Sequence, residues 1–245
     1  MPPAKTRLDV LLVARGLADT RDWAQRLIRA GEVRVNGQVI ETPAKLFAPD
    51  VEIAVQTPPQ YVSRGGFKLA AALDHFQIDP AGLTCADVGS STGGFTDCLL
   101  QRGARRVYAI DAGRHQLHWK LRNDPRVALM EQVNARYLDM LPEPAQLAVI
   151  DVSVISLTLI LPRVFDWLRA TGGAVIALIK PQFEAGRDKV GKGGIVRDPE
   201  VHQQVIDHIT AFCAAQGWQR RGLIDSPILG TDGNKEFLIW LTPAS

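Results

Sequence analysis

The sequence predicts a two-part α/β protein, in which a small α/β unit precedes a larger domain with a seven-stranded, mostly parallel sheet. Three observations support this prediction. Strand and helix patterns alternate after residue 64, a proline-containing polar connector stands at 57–63, and a glycine-rich turn follows the first strand of the larger part. Such alternation is typical of a parallel sheet with helices on both faces. The predicted divisions are a first unit at 1–56, the linker, and a second domain at 64–245.

Length, net charge, hydropathy and cysteine number limit which classes of protein this chain can belong to. A chain of 245 residues with a net charge of +2 can hold one sizeable domain and a small one, and its charge neither requires nor excludes nucleic acid. No apolar run is long enough to span a membrane, so we expect a cytoplasmic protein. Cys85, Cys98 and Cys213 are odd in number and widely spaced, which predicts buried thiols and no metal site.

The first unit reads as two helices, a hairpin and a final strand. Thr20 is a predicted N-cap for the second helix, and Asn36-Gly37 is a strong hairpin signal. These elements are expected, in chain order, at about 8–16, 21–30, 33–40 and 51–55.

The second domain reads as seven strands and four main helices. Strands are predicted at 84–88, 106–110, 127–130, 147–152, 173–180, 218–226 and 236–242. Helices are predicted at about 66–76, 95–102, 158–170 and 200–216. The last two strands should pair antiparallel, because their connection has no room for a crossover helix.

The turn at 86–95, Ala-Asp-Val-Gly-Ser-Ser-Thr-Gly-Gly-Phe, predicts a nucleotide-type site between a strand and a helix. Its glycines would let the backbone approach a ligand. The turn lacks both the dinucleotide fingerprint and the lysine of a phosphate loop, which favours S-adenosylmethionine as the cofactor. Its predicted cofactor-binding residues are Asp87, Gly89, Ser91, Gly93, Gly94 and Phe95.

Polar residues also follow the next four strands, at the edge of the sheet where a ligand would lie. Asp111 is placed to accept the hydroxyls of a ribose, and Asn134 to bind an adenine edge. Asp151 ends the fourth strand and Lys180 ends the fifth. A lysine that closes an apolar strand needs water or a carboxylate partner, and Asp151 is the predicted partner.

The first unit resembles the S-four-type RNA-binding domain. The resemblance rests on Arg-Leu-Asp-x-x-Leu at 7–12, a second helix with two arginines, and Gly-x-Val-x-Val-Asn-Gly at 31–37. It implies that basic residues contact RNA phosphates. Basic residues of the second domain, in Ser-Arg-Gly-Gly and in the glycine-rich loop at 184–198, are added to the same prediction. The RNA-binding candidates are Arg7, Arg15, Arg26, Arg29, Arg34, Arg64, Arg187, Lys189 and Lys192.

The second domain resembles the FtsJ-like ribose methyltransferases, whose mark is a Lys-Asp-Lys-Glu tetrad. Lys68, Asp151, Lys180 and Glu236 match this tetrad in chain order. With the S-four-type domain in front, the chain resembles the TlyA family, also labelled hemolysins, through signatures such as SRGGFKL, DVGSSTGGFTD and IKPQFEAGR. The resemblance implies a Rossmann-like class I methyltransferase domain and 2′-O-methylation of ribosomal RNA. It further implies Lys180 as the base, with Lys68 tuning it.

Other functions remain open at this point. The family label suggests a membrane-active hemolysin, although the sequence shows no membrane helix. A non-catalytic RNA-binding assembly factor would leave the tetrad without use, and a small-molecule methyltransferase would leave the first unit without use. We expect ribosomal RNA or a ribosomal subunit as partner, and neither DNA nor a membrane. The sequence leaves the oligomeric state open.

Overall fold

The computed structural model describes residues 5–18, 20–55, 60–230 and 232–244, and of Arg187 only the backbone. The chain forms two compact units, Met1–Gln60 and Tyr61–Ser245. Residues 57–59 of the predicted linker lie outside the described residues. The predicted domain limits at 56 and 64 therefore stay a prediction.

In its described residues the first unit contains two helices and five short strands. They are β1 (Thr6–Arg7), α1 (Leu8–Ala14), α2 (Arg21–Arg29), β2 (Val33–Val35), β3 (Gln38–Val39), β4 (Leu46–Phe47) and β5 (Ile53–Val55). β2 pairs with β3 and β5, and β1 pairs with β4, all antiparallel. The Thr20 side chain accepts a hydrogen bond from the Trp23 amide, as an N-cap should. The pair β1 and β4 was not predicted, because two-residue strands are too short to show a periodicity.

A buried carboxylate organises this unit. Asp9 in α1 is fully buried and accepts hydrogen bonds from Arg7 (2.8 Å), Arg21 (3.0 Å) and Gln25 (2.9 Å). These bonds, led by that from Arg7, hold the pKa of Asp9 well below its usual range. The carboxylate thus joins α1 to α2 above an apolar core that includes Leu8, Leu12 and Ile28.

The second unit is built on one seven-stranded sheet. Its strands are β6 (Thr84–Val88), β7 (Arg106–Asp111), β8 (Val127–Glu131), β9 (Leu147–Ile150), β10 (Ala174–Ile179), β11 (Trp218–Asp225) and β12 (Phe237–Pro243). Their order across the sheet is β11-β12-β10-β9-β6-β7-β8. All pairs are parallel except those of β12, which runs antiparallel to β10 and β11. This confirms the predicted fold class and the antiparallel pairing of the last two strands.

Helices connect the strands and cover the sheet. They are α3 (Gly65–Phe76), α4 (Gly94–Gln101), α5 (Trp119–Arg122), α6 (Leu161–Arg169), α7 (Pro181–Glu184) and α8 (Pro199–Ala215). The predicted helix at 158–170 is instead a 3₁₀ turn at Leu157–Leu159 followed by α6, in which Pro162 occupies the first turn and breaks no bond. The short helices α5 and α7 were not predicted, since four residues carry too little pattern.

Apolar cores lie on both faces of the sheet. In one of them Phe165 of α6 stacks on Trp218 of β11, with ring centroids 4.2 Å apart. The three cysteines are buried and unpaired, and burial raises the thiol pKa to about 12 for Cys85, 11 for Cys98 and 12 for Cys213. Within the described ranges, no helix has the length and apolar character that crossing a bilayer requires.

Replacing the buried acid of the first unit tests its structural role. We expect Asp9→Asn to destabilise this unit by about 1–3 kcal/mol, because charge-assisted bonds from two arginines are lost. Hydrogen exchange of amides at 20–35 in the full chain measures the effect. The exposed Asp22→Asn is the control, and equal protection in the two variants contradicts the role given to Asp9.

Candidate active site

Two adjoining cavities open at the carboxyl edge of the parallel strands. The first has a volume of about 470 Å³ and the second about 310 Å³. Their walls share residues from two places, the turn after β6 and the segment after β9: Gly89, Ser91, Asp151 and Ser153. The strand order reverses between β6 and β9, and ligands of open α/β sheets bind at such a point.

The first cavity brings together all four predicted catalytic residues. Lys68 comes from the first turn of α3 and Glu236 precedes β12, and their Nζ and Oε2 atoms are 2.5 Å apart. Asp151 follows β9 and Lys180 follows β10, with Oδ1 and Nζ 2.6 Å apart. The predicted Asp151–Lys180 partnership is confirmed, and the four side chains form two ion pairs of zero total charge.

The two ion pairs differ in their exposure to the cavity. The side chains of Lys68 and Glu236 are 10% and 3% exposed, whereas Asp151 is 22% exposed. Lys180 is 11% exposed and also donates to the Ser153 hydroxyl at 3.0 Å. The two lysines are thus almost equally exposed, and the pairs differ in their carboxylates, since Asp151 is the more exposed acid and lines both cavities.

The second cavity holds Asp111 and Asn134 against apolar walls that include Val133 and Ile160. Asp111 accepts hydrogen bonds from the amides of Ser91 (2.8 Å) and Gly113 (2.7 Å). A carboxylate has about four lone-pair sites, so two of them are left for a ligand. Asn134 caps the 3₁₀ turn Ala135–Tyr137 through its Oδ1, which leaves its amide nitrogen for a second contact.

The glycines of the turn are also required by the packing of the protein itself, while their predicted approach to a ligand stays a prediction. A Cβ on Gly89 would lie 2.5 Å from the backbone oxygen of Asp151. On Gly93 it would meet Leu121, and on Gly94 the Ser63 side chain. Gly89 and Gly94 still line the first cavity together with Phe95, while Gly93 lines neither. The missing side chains thus let the turn pack against the protein itself, which shapes the cavity walls.

Asp87 lies beneath the cavities and lines neither of them. It is fully buried, and its Oδ2 accepts from the Thr96 hydroxyl at 2.6 Å. Burial raises the pKa of Asp87 to about 7, the Thr96 bond opposes the shift, and the nearby Asp151 charge adds to it. Its predicted contact with the cofactor stays a prediction; the bond it makes joins β6 to α4.

The predicted RNA-binding arginines of the first unit fall into two groups. Arg26 and Arg29 are exposed in the last turn of α2, where Arg29 makes one long contact, 3.5 Å, with the Gln25 side chain. The others make shorter bonds within the unit: Arg7 to Asp9 at 2.8 Å, Arg15 to the backbone oxygen of Val51 at 2.6 Å and Arg34 to that of Gly37 at 3.1 Å. The first group is therefore the better placed for phosphate contacts.

In the second unit the RNA-binding candidates lie at two places. Arg64 is at the rim of the first cavity and donates to the Leu229 oxygen. Lys189 and Lys192 are exposed in the glycine-rich loop, where Lys189 donates to Gln204. Arg187 lies in the same loop, but its side chain is outside the described part of the chain.

Several residues at the site had no predicted role. Asn234 is fully buried and bonds to the Val196 amide and the Gly194 oxygen, so it fixes the glycine-rich loop beside Glu236. The Asp97 carboxylate accepts from the Val62 amide and lies 3.4 Å from the Lys120 ammonium. Asp97 stands in the signature DVGSSTGGFTD, which was the only available signal for it. Across the described ranges, no three His, Cys, Asp or Glu side chains gather as a metal site would need.

The raised pKa of Asp87 predicts a pH effect on stability. Because the folded protein holds this proton to about pH 7 while an unfolded aspartate loses it near pH 4, stability falls as pH rises between these values. Asp87→Asn removes this dependence, so the stability of the variant relative to the parent should increase from pH 5 to pH 7.5. Urea unfolding at both pH values measures it, with the exposed Asp139→Asn as control. Parallel pH curves for parent and Asp87→Asn would contradict the assignment.

Comparison with known proteins gives the family. The model of the FtsJ-like methyltransferase family matches residues 61–242, and that of the S4 domain matches residues 6–53. A relative from Bacillus subtilis (strain 168), YqxC, is 51% identical, with 98% of this chain and 87% of the relative covered. The protein "16S/23S rRNA (cytidine-2′-O)-methyltransferase TlyA" of Mycobacterium tuberculosis (strain ATCC 25618 / H37Rv) is 42% identical, with 97% and 90% covered.

A further relative and a solved structure support the same family. "Hemolysin A" of Brachyspira hyodysenteriae is 41% identical, with 95% of this chain and 98% of that protein covered. A solved structure from Streptococcus thermophilus is 45% identical with a TM-score of 0.74, covering 100% of this chain and 90% of the other. The methyltransferase model spans the whole sheet and both cavities. The chain therefore belongs to the FtsJ-like methyltransferase family and, with an S4 domain in front, to its TlyA members.

Proposed function

We propose that this chain transfers a methyl group from S-adenosylmethionine to the 2′-hydroxyl of a ribose in ribosomal RNA. The observation that carries the proposal is the first cavity, which holds two Lys–carboxylate pairs and adjoins the second cavity with Asp111 and Asn134. The TlyA relative of M. tuberculosis, which is named for this reaction, supports the transfer of that activity to this chain.

The second cavity fits the nucleoside part of the methyl donor. The two remaining acceptor sites of Asp111 suit the two hydroxyls of a ribose, and Asn134 supplies amide groups for a base edge. Val133, Ile155 and Ile160 provide apolar surface for a flat ring. The Gly89–Gly94 turn would then hold the remainder of the donor toward the first cavity.

The first cavity would supply the acid–base chemistry. The bound donor supplies an activated sulfonium methyl, so the protein needs mainly to align the ribose oxygen and remove one proton. In this proposal the Nζ of Lys180, in its neutral amine form, accepts the proton of the 2′-hydroxyl and becomes the ammonium that pairs with Asp151. Lys68 and Glu236 contribute a fixed dipole in the same cavity, and Arg64 at the rim would contact the RNA backbone.

The first unit would supply affinity for RNA. Arg26 and Arg29 project from the same turn of α2, and arginines so placed bind phosphates without reading sequence. The glycine-rich loop adds Lys189 and Lys192, which are both exposed. Folded RNA is bound largely through such backbone contacts.

Removing the proposed base tests the mechanism. We expect Lys180→Ala to lower methyl transfer to ribosomal RNA by at least about 100-fold, the usual contribution of a positioned base. Its affinity for S-adenosylmethionine should stay within a few-fold of the parent. Labelled-methyl transfer and calorimetry measure the two quantities. Lys235→Ala, which breaks the half-exposed Lys235–Asp225 ion pair, is the control, and parental turnover in Lys180→Ala would remove Lys180 from the mechanism.

Charge removal on α2 tests the RNA interface. We expect the double variant Arg26→Ala/Arg29→Ala to bind ribosomal RNA more weakly. The slope of log K against log salt should also become shallower, by about 0.7–0.9 for each lost phosphate contact. Arg169→Ala, which removes a 73% exposed arginine of the methyltransferase domain, is the matched control. An unchanged slope in the double variant would show that α2 lies outside the interface.

A further inference from the structure

We infer that Ser153 is a positioning residue for the transfer step: its hydroxyl fixes the direction in which the Lys180 nitrogen meets the substrate. The inference rests on the proposed function and adds a residue to the four of the tetrad. Its basis is the contact between Lys180 Nζ and Ser153 Oγ, 3.0 Å, beside the 2.6 Å contact of the same nitrogen with Asp151. All three residues line the first cavity.

The geometry of a lysine nitrogen explains why both neighbours matter. A neutral amine carries two hydrogens and one lone pair around its bond to the side chain. The Asp151 contact at 2.6 Å lacks the geometry of a hydrogen bond, so by itself it leaves the amine free to rotate. The hydrogen bond to Ser153 fixes one hydrogen, and the negative charge of Asp151 repels the lone pair from its side, which leaves the lone pair one direction. Asp151 and Ser153 together therefore orient the base, which neither could do alone.

The backbone of the segment that carries Ser153 is strained directly after this residue. The next residue, Val154, has a φ of +68°, a left-handed conformation that is unfavourable for a β-branched residue. Its side chain is 85% exposed, so burial of Val154 does not compensate. Such strain persists only where the surroundings determine the backbone, and it gathers at functional positions.

The surroundings hold this segment at both ends. Before Ser153, the Asp151 amide donates to the Val88 oxygen at 3.0 Å, against the face of Gly89 where a Cβ would clash. After it, the Glu184 carboxylate accepts from the Ser156 hydroxyl at 2.6 Å and from the Leu157 amide at 2.7 Å. Glu184 ends the short helix α7 that begins directly after Lys180. The segments that carry Ser153 and Lys180 are thus joined at two places, by the Lys180–Ser153 contact and by the bonds of Glu184 to Ser156 and Leu157.

The test compares two substitutions in the full chain. Ser153→Ala removes the acceptor, and we expect its single-turnover methyl transfer to ribosomal RNA to fall about 10- to 100-fold. Its Kd for S-adenosylmethionine should stay within about twofold, since the hydroxyl is bound to Lys180. Ser153→Thr keeps the hydroxyl at an exposed position and should restore the rate to within about threefold of the parent.

Each alternative outcome is decisive. A parental rate in Ser153→Ala overturns the inference, as does an equal loss of rate in Ser153→Thr. A loss of donor affinity as large as the loss of rate also overturns it, because Ser153 would then bind the donor. Nitrogen-15 spectra of the Lys180 side-chain nitrogen, assigned with Lys180→Arg, separate this inference from the proposed function. If the parent transfers no methyl to ribosomal RNA but Ser153→Ala speeds proton exchange at Lys180, the proposed function and the role of Ser153 in transfer both fail, and only the contact between the two side chains stands.

Discussion

The site depends on how closely the end of β6 approaches the end of β9. The two strands pair in parallel with Val88 opposite Ile150, so Gly89 and Asp151 leave the sheet side by side. Only a residue without a Cβ can stand there, because the Asp151 backbone occupies the space a side chain would need. Both cavities have this contact in their walls. The position of Asp151 therefore follows from the register of β6 and β9 and from the absence of a Cβ at residue 89. Asp151 in turn holds the Lys180 ammonium through their ion pair.

Charge at the site is arranged in pairs. Burying two ammonium and two carboxylate groups separately would be costly, and pairing them at 2.5 and 2.6 Å offsets part of that cost. Because the four groups come from α3 and from the ends of three strands, the pairs also join distant parts of the chain. Structural and chemical roles therefore coincide in these residues. The proposed assignment of Lys180 rests on its partner, because Asp151 lines both cavities and is more exposed than Glu236.

Much of this arrangement could be predicted from the sequence. Strand ends follow from apolar runs that stop at a polar residue, so Asp111, Asp151 and Lys180 were placed correctly at one sheet edge. The Asp151–Lys180 pair was predicted because neighbouring parallel strands end at the same edge of the sheet.

Other features could not be predicted. The role of Ser153 was missed, since it depends on a contact with a residue 27 positions away in the sequence and on the strained backbone of Val154 beside it. The contact of Gly89 with the Asp151 backbone was not predicted, because a sequence does not show which partner a bare backbone approaches. The arginines of the first unit were all treated alike, and the buried Asp9 that binds Arg7 became evident only in three dimensions.

The three buried cysteines have a practical consequence. Cys85 lies in β6 and Cys98 in α4, on either side of the glycine turn, while Cys213 lies in α8. Their thiolate forms are suppressed in the folded state, so alkylating reagents must wait for an opening of the surrounding structure. The alkylation rate of each cysteine therefore reports local unfolding of the element that carries it. Cys85 and Cys98 report the opening of β6 and α4 around the glycine turn, and Cys213 reports the opening of α8.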